Sequence, residues 1–196
     1  MELKNSDKAT ERFLFSALSY QENTVLPEFK VDPHKDWIQY GANNLFPMEL
    51  VNLFNKSGIH NAIVESKVRM MVGDGVVQDL QEYEFSEKSQ MFIDKCNPYE
   101  SMTDVYKKCS LDYEIFGLAY LEIIWGKGRK VIAEINHIDA STIRWGRREK
   151  GVVKTYYYSE DWNNYRKQIY KPIEIPIFDQ KATSARQIIP IVRYTP

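Results

Sequence analysis

The chain has 196 residues, 43% hydrophobic and 27% charged, which suffices for one globular domain with a core and excludes a disordered or fibrous protein. Its formal net charge of −1 gives no overall attraction to nucleic acid, so any DNA-facing surface has to be local. Two cysteines, Cys96 and Cys109, lack metal or redox spacing, and no apolar run reaches the length of a signal sequence or membrane helix.

Residues 1 to 40 read as a polar, irregular N-terminal arm, with Phe13, Leu14, Phe15 and Leu18 as its apolar cluster and Pro27 and Pro33 as breakers. Order rises from Asn44. Pro47 suits the first turn of a helix carrying Leu50, Val51 and Phe54, which Ser57-Gly58 stops. A second helix, residues 59–72, has Ile59, Ile63 and Met70 on one side and Val64, Val68 and Met71 on another. So broad an apolar surface implies burial on more than one face, either as a central core helix or as a subunit contact in a ring. The sequence favours the first.

Gly73-Asp74-Gly75 ends that helix; no Gly-x-x-x-x-Gly-Lys-[Ser/Thr] supports a phosphate loop. Val76 to Phe85 has strand-like and turn character, and Ser86 to Lys95 reads as a short helix stopped by Cys96-Asn97-Pro98. Ser101-Met-Thr-Asp104 is a capping-box start. Met102, Val105, Tyr106, Cys109, Tyr113 and Phe116 then fall on one stripe, which makes Cys109 a core thiol. At Gly117 the helical period gives way to a strand whose Leu121, Ile123 and Trp125 form an apolar face and whose Tyr120, Glu122 and Ile124 form a mixed one. Gly126-Lys127-Gly128 turns it into a return strand carrying Val131, Ala133 and Ile135.

Beyond Ile143 the chain becomes basic and aromatic. Arg144, Arg147, Arg148, Lys150 and Lys154 fall within eleven positions against Glu149 alone, followed by Tyr156-Tyr157-Tyr158, Trp162 and Tyr165. Such interleaving can hold nucleic acid, or an acidic surface of a neighbouring subunit, but a solvated hairpin tip around Gly146 and Gly151 is the plainer reading. Ser159 to Asn164 is a polar turn, Ile173 to Phe178 an edge strand marked by Pro172 and Pro176, and Ile188 to Tyr194 a last strand. Asp112, Glu114 and Glu122 are the carboxylates that a metal-dependent nuclease would use, yet Asp112 and Glu114 stand two apart on a helix and do not face each other. No His-x-x-x-His or Gly-x-Ser-x-Gly pattern accompanies them.

The order of these segments resembles the portal proteins of tailed bacteriophages. The residues that carry the resemblance are Asp112, Phe116, Gly117, Ala119, Tyr120 and Glu122, then Ile135, Ile138, Asp139, Ala140, Thr142, Ile143 and Arg144, with the helix ending in Met71-Val72-Gly73-Asp74-Gly75 upstream. It spans about residues 40 to 160. The resemblance implies an α+β domain over 41–196, several helices packed on a mainly antiparallel sheet, corresponding to the wing-like amino-terminal part of a portal and cut short at its C-terminal end. It also implies a structural role without catalysis or cofactor. Subunits of the family form a dodecameric ring at a capsid vertex, through which double-stranded DNA is packaged and ejected. The implied partners are further copies of the chain, the major capsid protein, the terminase large subunit and a head-tail adaptor. The implied location is the virion, with assembly in the host cytoplasm. Phe13, Phe15 and the broad helix 59–72 are the candidates for subunit or capsid contact.

Overall fold

A helix and a strand joined at one glycine organise the molecule: α4 (Met102–Phe116) and β3 (Leu118–Trp125), with the remaining elements layered to either side. The computed structural model describes residues 29–193, apart from residues 42 and 82. Ser101 caps α4 by accepting from the Asp104 amide, while the Asp104 carboxylate accepts from the Ser101 amide, the reciprocal pairing of a capping box. At the other end Gly117 has φ 72°, and its N–H closes onto the Tyr113 carbonyl. Any side chain there would strain this left-handed backbone, so glycine lets the chain leave the helix directly into β3.

Strand β3 is the middle strand of an antiparallel sheet ordered β10-β3-β4, with β4 at Ile132–Ile138 and β10 at Arg186–Val192. Both of its faces are covered, so the face expected to be mixed is in fact a second interior. Ala119 and Leu121 point toward the helices, into a cluster with Cys96, Val105 and Cys109. Tyr120, on the alternate side, joins Ile138, Ala140, Ile143, Tyr156, Ile175 and Ile188 in the larger core. Cys109 is buried as expected, and burial pushes its thiol up to about 12.

The larger core is closed by a second antiparallel sheet, β5-β8-β9, built from Ile143–Trp145, Thr155–Tyr158 and Ile173–Pro176. β9 is an edge strand, where the missing amide of Pro176 costs no central ladder bond. Between β5 and β8 projects the small hairpin of β6 (Arg148–Glu149) and β7 (Val152–Val153). Gly146 lets this connection pass close to its neighbour: a Cβ there would lie 2.5 Å from the Thr155 carbonyl oxygen. The architecture is thus three layers, helices on one sheet and that sheet on another, an α+β fold with antiparallel ladders.

Two expectations fail in the helical layer. α1 (Phe46–Lys56) and α2 (Gly58–Val72) form as read, but α2 is not a central core helix. It buries Val64 and Val68, while Ile59 and Met70 are 80% and 82% exposed. Its partners are α4 and, near its start, α1, where the Phe54 and His60 rings meet edge-on 6.3 Å apart. Among its described residues Val76 to Phe85 has the expected turn but no strand; the loop is closed where the Gln78 amide bonds both the backbone N–H and C=O of Ser86 at the start of α3 (Glu87–Asp94).

The arm also changes character within the described chain. Phe29–Val31 and Ile38–Tyr40 pair as an antiparallel hairpin, β1 and β2, rather than running irregularly to residue 40. Trp37 stands 5.5–5.7 Å from the rings of Tyr157, Trp162 and Tyr165, so the hairpin is tied to the second sheet by aromatic packing. Phe13 and Phe15 lie outside the described residues.

Candidate functional site

The basic segment is dispersed by the fold. Arg144 is fully buried at the start of the second sheet. Its guanidinium donates to Asn44 Oδ1 at 2.8 Å and to the carbonyls of Asn44, Ser141 and Ile143 at 2.7–2.8 Å. It also lies between the rings of Tyr40 and Trp162, 4.9 and 4.7 Å from their centroids. Burial pulls its pKa down to about 10, which still leaves the charge in place at neutral pH. Arg147 is exposed but lies against the β1–β2 hairpin, donating to the carbonyls of Lys35, Asp32 and Pro33 at 2.6–2.9 Å. Lys154 pairs with Glu149 at 3.0 Å across the β6–β7 hairpin. Arg148 and Lys150 remain at the exposed tip. Two of the five basic residues therefore hold the fold together, which the alternation with aromatics did not reveal: Arg144 is placed by packing from Tyr40 and Asn44, about 100 residues earlier in the chain.

The three carboxylates of the nuclease alternative engage separate partners. Asp112 accepts from the Ala140 amide and bonds His137 Nε2, each at 2.8 Å. Glu114 meets Lys67 at 3.2 Å and Arg193 at 3.3 Å. Glu122 bonds Asn136 at 3.3 Å and pairs with Arg186. Among the described residues no group of three His, Cys, Asp or Glu side chains is close enough to hold a metal ion.

The Asp112–His137 pair does structural work, fastening α4 to the end of β4 and to the turn at Ala140. Burial raises the Asp112 pKa above its ordinary carboxylate value, with the bonds from His137 and Ala140 opposing that rise. A raised folded-state pKa means that the native chain holds this proton where the unfolded chain has lost it. Stability from this group therefore falls as pH rises from the ordinary Asp pKa through the raised one. Replacing Asp112→Asn is expected to remove that slope, so that the variant gains on the wild type as pH goes from about 4 to 7. Urea melts of both proteins across that range measure the difference, and parallel curves would show that Asp112 is not the group responsible.

What the fold does leave available is apolar surface on the helical layer. Ile59, Ile63 and Met70 line a shallow groove on the outward side of α2. On another part of the layer Val77, Leu80, Tyr83, Phe85 and Met91 are all 60–73% exposed, spread over the loop after α2 and onto α3. Singly exposed apolar residues are ordinary, whereas two such groups on one small domain are features of a protein that associates. A separate apolar cavity of about 370 Å³ opens beside α1 and the α4–β3 junction, lined by Phe46, Leu50, Phe116, Leu118 and Trp145 among others.

No family model matches the chain, and no curated protein sequence matches it. Solved structures do. A chain in the neck of an empty GTA particle, a phage-like gene transfer agent, computed with C6 symmetry, superposes with a TM-score of 0.56 at 14% identity, over 76% of this chain and 38% of that one. A chain in the neck of the native GTA particle, computed with C12 symmetry, gives 0.51 at 13% identity, over 76% and 37%. The present chain therefore spans under two-fifths of the length of these structures. At such identities the likeness is one of fold: this α+β arrangement is also found in the neck of a phage-like particle.

Proposed function

We propose that the chain is the wing-like part of a portal subunit, a non-catalytic structural component of a ring at a phage or prophage capsid vertex. The observation that carries this reading is the fold shared with neck chains of particles computed with C6 and C12 symmetry. The order of motifs from Asp112 to Arg144 supports it independently of that superposition. Cyclic symmetry requires each subunit to present two different surfaces to its neighbours, and the helical layer has two exposed apolar groups to offer. In this role the domain holds subunits side by side around a passage for double-stranded DNA. The major capsid protein, the terminase large subunit and a head-tail adaptor are its other partners, and the virion is its location. Of the basic segment, Arg148 and Lys150 are the side chains left to meet an acidic neighbour or DNA.

The test is native mass spectrometry and negative-stain imaging of the full product of the gene. The expected result is a closed ring with a central hole, of about twelve subunits as the portal resemblance implies. A monomer at every concentration would overturn the reading.

A further inference from the structure

The apolar cavity beside α1 lies where several elements converge. One face of β2 supplies Ile38 and Tyr40, α1 supplies Phe46 and Leu50, and the α4–β3 junction supplies Phe116 and Leu118. An apolar cavity of roughly 150 Å³ takes up one benzene. At about 370 Å³ this one has room for about two side chains of leucine or phenylalanine size.

The path of the chain aims one segment at it. Phe29 is the antiparallel partner of Tyr40, and Val31 that of Ile38. Residue 28 therefore lies beyond the Tyr40 end of β2, the end from which the chain turns into α1, so what precedes β1 arrives beside two walls of the cavity. Residues 1–28 carry one dense apolar cluster, Phe13, Leu14, Phe15 and Leu18. At helical spacing Leu14, Phe15 and Leu18 share a face and Phe13 falls opposite. The same face bears Glu11 one turn before and Glu22 one turn after, while Arg148 sets an exposed cation at the cavity wall. Residues 19–28 reach at most roughly 35 Å when extended. So short a tether ending at the cavity raises the effective concentration of the cluster there to about the millimolar range, which favours a chain's own segment over a second copy's.

Independently of the portal reading, we infer that the cavity is the seat of this chain's own residues 11–22. Leu14, Phe15 and Leu18 insert against Phe46, Leu50 and Phe116. Glu11 or Glu22, according to the direction of the segment, meets Arg148. Phe13 then faces outward, where a subunit or capsid contact can use it. The docked segment fastens the start of the chain across β2 and α1.

The experiment uses the full gene product with a short bismaleimide as the probe, and cysteines at the rim and at the ends of the segment leave the inserting side chains in place. Arg148→Cys is combined with Glu11→Cys, and separately with Glu22→Cys for the opposite direction; the native Cys96 and Cys109 are buried. One of the two pairs is expected to cross-link within a single chain, seen by mass spectrometry as a linked peptide pair in a product of monomer size. Adding Phe15→Asp and Leu18→Asp to that pair is expected to slow cross-linking about tenfold or more, because two carboxylates cannot enter the cavity unpaired. Adding Phe13→Asp should leave it unchanged. Covalent dimers from co-assembled single-cysteine chains would give the seat to a second copy's segment and overturn the inference. A failure of both pairs to link, or a link indifferent to Phe15→Asp and Leu18→Asp, would overturn it as well. None of these results bears on whether the full gene product closes into a ring, which imaging decides separately.

Discussion

Arg144→Ala is expected to cost about 3 kcal/mol of folding stability, a large share of the roughly 5–15 kcal/mol that holds a domain together. The truncation removes donors from Asn44 Oδ1 and from the Asn44, Ser141 and Ile143 carbonyls, which lie too deep for water to replace them. It also opens a gap between Tyr40 and Trp162. Opposing this is the release of a buried cation whose four hydrogen-bond acceptors are neutral oxygens, a desolvation cost visible in its lowered pKa. Four hydrogen bonds to one planar fork and two aromatic faces outweigh that cost. Arg144→Lys keeps the charge but cannot reach four acceptors at once, and is expected to recover less than half of the loss. Urea unfolding followed by tryptophan fluorescence reads the effect, since Trp162 reports on the same site. A melt of Arg144→Ala within about 0.5 kcal/mol of the wild type would show the network to be incidental.

The residues that could be read in advance are those whose structure is decided locally. The Ser101–Asp104 cap, the left-handed Gly117, the short helix between Ser86 and Lys95 and the edge position of β9 each follow from a few neighbouring side chains, and each is found where the sequence places it. What could not be read is which surfaces end up covered. The 59–72 helix has an apolar circumference wide enough for a core helix, and only the position of α4 decides that Val64 and Val68 go inside and Ile59 and Met70 stay out. The same holds for β3, whose Tyr120 face looks half-polar until the second sheet closes over it.

The basic segment fails for a related reason. Arginine spacing along a chain carries no information on whether a guanidinium will meet solvent or carbonyl oxygens. Arg144 and Arg147 are claimed by residues 32–44, a stretch read mostly as an irregular arm. Trp37 was the available signal: a tryptophan in a supposedly frayed segment buries too much apolar area to be left loose. It anchors that stretch to the sheet from which Arg144 projects. The hairpin and the buried arginine are therefore one feature, and they bring residues 32–44 and 141–162 into a single polar and aromatic knot.

Tyr120→Ala is expected to have an effect of similar size at the other end of that knot, about 3–5 kcal/mol, because it empties the middle of the larger core. Tyr120 is fully buried on the central strand of the first sheet, with its ring 5.6 Å from that of Tyr156 on the second, so it is one of the contacts that join the two sheets, beside Ile188 against Ile175 and Ile177. Its hydroxyl accepts from Trp145 Nε1 at 2.7 Å and is bonded with Tyr40, and burial raises its pKa well above the usual tyrosine range. Tyr120→Phe separates the contributions. It keeps the ring and the packing but leaves the Trp145 indole N–H with no acceptor, a loss of about 1–3 kcal/mol. Equal destabilisation by both variants would place the whole effect in the hydroxyl network, and a near-neutral Tyr120→Phe would place it in the ring. If neither variant shifts the urea midpoint, the two sheets are not coupled through this side chain, and the three-layer packing that presents the outer flanks of the helical layer would have to be held elsewhere.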